Sequence, residues 1–255
     1  MRNILTIASK ELKLYFVSPI AYVVAMVFLA VSDFLFYNIV VSYSSISTQM
    51  MRFQGNLPQL NIHEAVFRPT FLNMSVILLL IMPLLTMRLL AEEKKGRTNE
   101  LLMTSPVTIT EIVLGKFFAA MIVYLLMLAL TLHLPLILST YSDVAWKPLL
   151  SSYLGLFLMG GVFLSMGLFA SALTENQIIA AVISFGILIG LWLIGVTAQG
   201  AGGGAGEVLS YLSLVEHLDN FVKGLIDTRD LTYFVSLMTL GLFLAHRVVE
   251  SQRWK

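Results

Sequence analysis

One stretch of the chain combines charged, helix-capping and apolar residues at a spacing that suits contact with another protein. It occupies residues 92–106 and reads EEKKGRTNELLMTSP. Thr98 is a candidate helix N-cap, and Glu100 follows in the first turn, where a carboxylate interacts favourably with the helix dipole. Leu-Leu-Met then fills positions 101–103, and Pro106 ends the helix. The pattern therefore predicts a helix of about two turns that carries apolar side chains.

The apolar residues of this helix need a surface to cover them. A loop in water has no reason to expose Leu101, Leu102 and Met103, so we expect them to contact a partner protein. The alternative is that the helix packs against the rim of its own chain. Immediately after it, Thr108 and Glu111 have the spacing of a capping box, which predicts the start of the next helix.

Two polar residues lie within long apolar runs, where ionisable groups are costly and by default suggest function. Asp33 interrupts the first run, and His133 lies late in the third, followed by Pro135. For Asp33 the alternatives are a structural hydrogen bond or dimer contact, and work on a substrate or proton. For His133 they are a hydrogen bond within the helix bundle and a proton relay. Pro135 predicts a kink or an end in its helix.

The usual catalytic and nucleotide-binding patterns are missing from the sequence. It contains no G-x-x-x-x-G-K-[ST] loop, no H-E-x-x-H motif and no cysteine. The segment GAGGGAG at 200–206 has glycines but follows an apolar helix rather than a strand, so we interpret it as a linker. The chain is therefore expected to have no catalytic, cofactor-binding or metal-binding residues of its own.

Composition places the chain in a membrane. Hydrophobic residues make up 58% of the 255 residues and charged residues only 12%, about half of the roughly 25% usual in soluble proteins. A soluble domain of this size could not bury so much apolar surface. The net charge of +1 provides no basic field for nucleic acid, and the hydrophobicity excludes a disordered chain.

The apolar runs predict an all-α polytopic membrane protein that forms a single domain over residues 1–255. A bilayer core of about 30 Å requires roughly 20 apolar residues in a helix. Residues 1–17 predict an amphipathic interfacial helix, with Lys10, Glu11 and Lys13 largely opposite its apolar face. Regular apolar spacing after residue 206 predicts one or two further amphipathic helices. The six predicted spans cover about 20–41, 71–90, 113–138, 149–173, 178–196 and 231–249.

Lysine and arginine define the expected orientation. Six spans place both termini on one side, and this side holds eleven of the sixteen basic residues, against five on the other. The positive-inside rule therefore predicts cytoplasmic N and C termini. In this orientation the segment at 92–106 is cytoplasmic, and the amphipathic helices before the sixth span lie outside.

The run EEKKGRTNELLMTSPVTITEIVLGK resembles the signature of ABC transporter permeases of the type-2 exporter class. Arg97 departs from that pattern, since the place is usually Gly. The segments at 61–93 and 216–234 are most similar to the gliding-motility permease group. The residues that match the class signature are Glu92, Glu93, Thr98, Glu100, Leu101, Leu102, Pro106, Gly115 and Lys116.

The resemblance implies a function and a set of partners. Such a permease forms half of a transmembrane dimer in the cell inner membrane, with an identical or homologous second permease. Two copies of a cytoplasmic ABC ATPase bind ATP and Mg, and drive export of a substrate or transmission of force. The gliding group implies a further subunit with a large extracytoplasmic domain. The ATPase-docking, or coupling, helix would span about Gly96 to Ser105 and use Gly96, Thr98, Glu100, Leu101, Leu102, Met103 and Pro106.

Two other classes of function remain open at this stage. An ion-gradient-driven secondary transporter would need charged groups within the membrane, for which Asp33 and His133 are the candidates. A non-transporting membrane scaffold would have no need of an exposed apolar helix that faces an ATPase.

Overall fold

The computed structural model describes residues 2–52, 61–96, 107–200 and 204–252. These residues are helical and include no β-strand, which confirms the predicted all-α polytopic fold. Eleven α-helices and one π-helical turn, His63–Phe67, are present in the described part of the chain. The helices, numbered in chain order, are α1 Arg2–Val17, α2 Pro19–Arg52, α3 Arg68–Thr86, α4 Ala91–Lys95, α5 Ile109–Leu130, α6 His133–Ser139, α7 Trp146–Leu173, α8 Gln177–Gly200, α9 Gly204–Tyr211, α10 Leu214–Val222 and α11 Thr228–Ser251.

Six segments among the described residues are long and apolar enough to cross a membrane. The second segment begins eight residues earlier than expected, because the π-helical turn continues directly into α3. The sixth begins at Thr228, where Asp227 caps α11 by accepting a hydrogen bond from the Arg229 backbone N–H. The six segments are Pro19–Gln49, His63–Lys95, Ile109–Ser139, Trp146–Leu173, Gln177–Gly195 and Thr228–Ser251.

The third span is broken where its sequence predicts. Helix α5 ends at Leu130, and α6 begins at His133 after two turn residues. Pro135 has no backbone N–H, and its ring would clash with the carbonyl of residue 131 in a continuous helix. The break therefore places His133 and Pro135 in the first turn of a separate short helix.

Helix α7 forms the centre of the bundle. In an apolar stretch of 18 residues within α7, 78% of the residues are buried, whereas the figure for a similar stretch of α2 is 22%. Glycines permit its close contacts: a Cβ at Gly160 would lie 2.2 Å from the Tyr124 ring of α5, and one at Gly167 would lie 2.1 Å from Thr86 Oγ1 of α3. Small residues in this span thus allow neighbouring helices to approach it closely. The Gly186–Gly190 pair of α8 differs, because a Cβ at either position meets no described atom within 4 Å.

The bundle has two distinct ends, which we name after the helices that lie there. At the α1 end, α1 packs along the start of α5 and near α4. At the α10 end, the predicted amphipathic helices appear as α9 and α10, which pack against α7 and α8. The segment 200–206, interpreted from the sequence as a linker, is helical wherever it is described: Gly200 ends α8 and residues 204–206 begin α9, while 201–203 are outside the described residues.

Candidate functional site

The predicted docking segment lies almost entirely outside the described residues. Only Gly96 is described, as the C-cap of α4 with its N–H bonded to the Glu92 carbonyl. The chain is described again from Val107 onward. The geometry of the site is therefore that of its two flanks, α4 before it and α5 after it. The site residues that lie outside the described ranges are Thr98, Glu100, Leu101, Leu102, Met103 and Pro106.

A single hydroxyl holds the start of α4 against α7. Ser171 Oγ accepts hydrogen bonds from the backbone N–H groups of Leu90 (3.0 Å) and Ala91 (3.1 Å), and it donates to the Met87 carbonyl (3.0 Å). These backbone groups belong to the turn between α3 and α4, where helical partners are missing. Lys94 Nζ also donates to the carbonyl of Ala172. The flank before the docking segment is thereby joined to the most buried helix of the bundle.

A buried charge cluster joins α1, α4 and α5. Lys116 Nζ of α5 lies 2.8 Å from Glu11 Oε1 of α1 and 2.9 Å from Glu93 Oε1 of α4, and the three side chains are 2%, 8% and 14% exposed. Lys10 lies 3.6 Å from the same Glu93 oxygen. Two lysines and two glutamates make the cluster neutral, as buried charges require. The prediction that Glu11 lies largely opposite the apolar face of α1 is wrong, because Glu11 is one helical turn from both Ala8 and Tyr15 and is buried with them.

The neighbouring glycine brings α1 and α5 into contact. A Cβ at Gly115 would lie 2.8 Å from Ile7 Cβ and 3.1 Å from the Ile4 carbonyl oxygen. Only glycine allows the two backbones to approach so closely. The Gly115–Lys116 pair thus serves two connected purposes: the glycine admits α1, and the lysine binds its carboxylate.

A second set of contacts joins α1 to the end of α3. The buried Tyr15 hydroxyl donates to the Leu85 carbonyl at 2.7 Å, and burial raises the pKa of Tyr15 well above its usual value, so the donor proton is retained. The Arg88 guanidinium lies 4.9 Å from the centre of the Tyr15 ring and donates to Ser18 Oγ at 2.7 Å. Cation–π contacts of this kind stabilise such a junction.

The flank after the docking segment begins with the capping box that the sequence predicts. Thr108 Oγ1 accepts from the Glu111 N–H at 3.3 Å, and Glu111 Oε2 accepts from the Thr108 N–H at 3.0 Å. Asn3 of α1 also donates to the Glu111 carboxylate. Both flanks of residues 97–106 are consequently bonded to α1, so α1, α4 and α5 form one connected mount for the segment between them.

The chain matches the sequence profile described as ABC-2 family transporter protein over residues 38–215. This range covers most of the chain and includes the docking segment with both of its flanks. The chain belongs to the ABC-2 transporter family. It is accordingly a membrane permease component of an ABC transporter, a class that functions with an ABC ATPase. No curated protein matches the chain significantly.

The structure of the ABC-2 protein brings together the two polar residues predicted within its spans. His133 Nε2 lies 3.2 Å from Asp33 Oδ1, and both side chains are more than 40% exposed in the single chain. The pair is at ion-pair distance but is not aligned for a hydrogen bond, since Asp33 Oδ1 has no hydrogen-bond partner. His133 Nδ1 lies 2.6 Å from the Leu130 carbonyl and must donate to it.

Sequence reasoning missed a polar network at the α10 end of the permease. Arg68 of α3 makes two hydrogen bonds to Asp219 of α10, at 2.8 and 3.0 Å, and Lys223 Nζ lies 2.6 Å from Asp219 Oδ2. Burial alone would raise the pKa of Asp219, but the hydrogen bonds from Arg68 and Lys223 hold it below its usual value. Lys223 could have been found by its i, i+4 spacing to Asp219. Arg68 is 151 residues away and gives no local signal.

A second part of this network surrounds a buried histidine. His217 Nδ1 lies 2.5 Å from Asp230 Oδ1, and Nε2 lies 2.9 Å from the Tyr211 carbonyl. The ring stacks on Tyr233 with centroids 3.9 Å apart, and Asn220 donates to the other Asp230 oxygen. Each ring nitrogen of His217 therefore faces an oxygen that accepts hydrogen bonds. The network joins α9 and α10 to the start of α11.

Proposed function

We propose that the chain is the transmembrane half of an ATP-driven transporter that is coupled to a separate ATPase through residues 96–106. Its activity is export of a substrate or transmission of force across the membrane, as in the gliding-motility group that it resembles. The observation that carries the proposal is the shared mount of α1, α4 and α5 around the docking segment. A displacement of that segment would move α1, α4 and α5 together, and the hydrogen bonds of Ser171 would transmit it to α7.

The proposed complex contains a second permease, identical or homologous, and two ATPase subunits that bind ATP and Mg. A subunit with a large extracytoplasmic domain completes it if the gliding-type assembly applies. The support for a separate ATPase is that the sequence lacks a phosphate-binding G-x-x-x-x-G-K-[ST] loop. Purification of the permease from its native membrane should therefore recover an ABC ATPase with it.

The proposed orientation places the α1 end, with the docking segment and both termini, in the cytoplasm of a cell whose inner membrane holds the protein. Its support is the excess of basic residues on that side. Because the chain has no cysteine, a Thr98→Cys variant carries a single thiol. An impermeant maleimide should label it from the cytoplasmic side only, whereas a matched Lys147→Cys variant at the opposite end should be labelled from outside. Labelling of position 98 from outside would overturn the orientation.

The docking role is tested by truncating its apolar residues. We expect a Leu101→Ala/Leu102→Ala variant to fold but to lose ATP-driven transport, because the ATPase would no longer bind the segment. The chain offers a matched control in Leu125→Ala/Leu126→Ala, a second Leu-Leu pair that is 50% and 45% exposed on α5. A docking-segment variant that still binds the ATPase and transports like the control would contradict the assignment.

The contact between Asp33 and His133 favours a second candidate function, transport driven by a proton gradient. With Nδ1 bonded to the Leu130 carbonyl, neutral His133 would turn a lone pair toward the Asp33 carboxylate, so a proton on the pair relieves the repulsion. In this case transport should continue without any ATPase, collapse with a protonophore and fail in Asp33→Asn. ATP-dependent transport that is insensitive to a protonophore would instead support the first proposal.

A further inference from the structure

A cavity of about 640 Å³ lies at the α10 end of the permease. Its volume falls within the range of roughly 300–1,000 Å³ that is typical of small-ligand sites. The walls come from the start of α3, the far half of α8, and α9 and α10. The lining residues that bear on its chemistry are Arg68, Leu72, Trp192, Glu216, Asp219 and Lys223.

The charged wall of the cavity is neutral overall but carries both signs. Arg68 and Lys223 share the single carboxylate of Asp219, which leaves one positive charge in excess at that place. Glu216 lies three residues earlier on α10, on the same helix face, and supplies the balancing negative charge. The Arg68 and Lys223 groups each retain N–H donors beyond those bonded to Asp219. Such a wall complements a zwitterion rather than a simple anion.

Trp192 of α8 also lines the cavity, but its Nε1 atom is buried and does not face the open space. The donors that a ligand in the cavity can reach are therefore those of Arg68 and Lys223. Phosphate oxygens are strong acceptors and also match the excess positive charge of Arg68 and Lys223.

The depth of the cavity identifies where its ligand comes from. Trp192 follows the start of α8 at Gln177 by fifteen residues, which is roughly 22 Å along a helix. If α8 enters a hydrocarbon core of about 30 Å at Gln177, Trp192 lies in the third of that core that is closest to the α10 end. In the proposed orientation this third belongs to the outer leaflet. Leu72 and Val215 add apolar lining beside the charged groups. An amphiphile with its headgroup among the charges fits this placement.

We propose that the cavity binds a phosphate ester that also carries a primary ammonium group, as in the headgroup of phosphatidylethanolamine. The phosphate accepts hydrogen bonds from Arg68 and Lys223, and the ammonium group donates to Glu216. The bound lipid seals α8 against α10 from outside and is not the transported substrate. Phosphatidylcholine has no ammonium hydrogen to donate, and phosphatidylglycerol has no cation at all, so the site selects phosphatidylethanolamine over both.

Lipid titration of the purified full-length permease, followed by native mass spectrometry, tests the proposal. We expect phosphatidylethanolamine to bind more tightly than phosphatidylcholine, and phosphatidylglycerol to bind weakest. Lys223→Gln and Glu216→Gln should each weaken phosphatidylethanolamine binding about tenfold, because each removes one charge-assisted hydrogen bond to the ligand. Lys147→Gln removes an exposed lysine that is outside the cavity, and it should bind like the unaltered protein.

A competition experiment shows whether the bound phosphoethanolamine group belongs to a bilayer lipid or to a soluble molecule. Soluble glycerophosphoethanolamine that displaces the lipid at similar concentration would support the site and assign it a soluble ligand, whereas failure to displace it supports the bilayer lipid. Lys223→Gln keeps the Arg68–Asp219 bonds and loses one half-exposed ion pair, so its thermal midpoint without lipid should fall only slightly, and a larger fall would reveal a folding defect. Equal binding by both cavity variants and the control, or equal affinity for phosphatidylglycerol, would overturn the proposal.

Discussion

Replacement of Lys116 by methionine tests whether the buried charge cluster holds the mount together. Methionine keeps a similar length and apolar stem but removes the ammonium group that lies within 3 Å of both Glu11 and Glu93. Each of these carboxylate oxygens is within 2.9 Å of Lys116 Nζ, so the two are less than 6 Å apart. At an effective dielectric constant of about 20, their repulsion without the lysine is about 3 kcal/mol.

The expected loss of stability follows from this geometry. Removal of one member of a buried ion pair typically costs about 3–5 kcal/mol, because the remaining charge is buried without compensation. For a chain of this size, that corresponds to a fall of roughly 6–20 °C in the unfolding midpoint. The measurement is thermal unfolding of the purified permease in detergent. Lys147→Met, an exposed lysine at the α10 end, serves as the matched control and should change the midpoint little.

A triple variant distinguishes charge burial from simple packing. Lys116→Met combined with Glu11→Gln and Glu93→Gln removes all three charges, and neutral replacements of buried ion clusters are often close to neutral in stability. We expect the triple variant to recover most of the loss. If Lys116→Met alone had no effect, or if the triple variant were less stable than the single one, the cluster would not stabilise the mount and the reasoning would be refuted.

The remaining predictions concern packing and pH. Gly160→Ala should destabilise the permease by about 1–3 kcal/mol, because its Cβ would collide with Tyr124. Gly190→Ala should be neutral or stabilise α8, since its Cβ would meet no described atom within 4 Å and alanine favours helix. Only Gly160→Ala should lower the unfolding midpoint, and equal losses in the two variants would contradict the close contact. Because the pKa of Asp219 is lower in the folded protein than its usual value of 3.8, ionised Asp219 adds to the free energy of unfolding. This contribution is fully present above pH 3.8 and is lost as the pH falls through the pKa of the folded state. Asp219→Asn should therefore flatten the acid limb of stability against pH, and an unchanged limb would show that the Arg68 bonds contribute nothing.

The membrane class and the helix boundaries depended mainly on local information. Six runs of apolar residues can satisfy their backbone groups in lipid only as helices, so composition and run length were sufficient. The capping box of Thr108 and Glu111 and the break before Pro135 are likewise local, and the structure confirms both. The family could also be approached from one contiguous stretch of sequence, and the ABC-2 match agrees with it.

The docking residues Thr98, Glu100, Leu101, Leu102 and Met103 remain a prediction, since they lie outside the described part of the chain. The arrangement of α1, α4 and α5 on either side of these residues depends on contacts between segments that are distant in the sequence. Ion pairs and close approaches between helices form only after the helices are assembled, and the local sequence does not say which distant residues they join.

The sequence by itself determined that this protein is a bundle of membrane-crossing helices, because the length and hydrophobicity of a segment decide whether it can span lipid. Tertiary structure alone decided that Glu11, which shares the buried face of α1 with Ala8 and Tyr15, pairs with Lys116 of α5. It also decided that Asp33 meets His133, and that Arg68 meets Asp219 across 151 positions. The physical reason is that the free energy of a charge depends on its nearest neighbours in space, and these are set by how the helices pack.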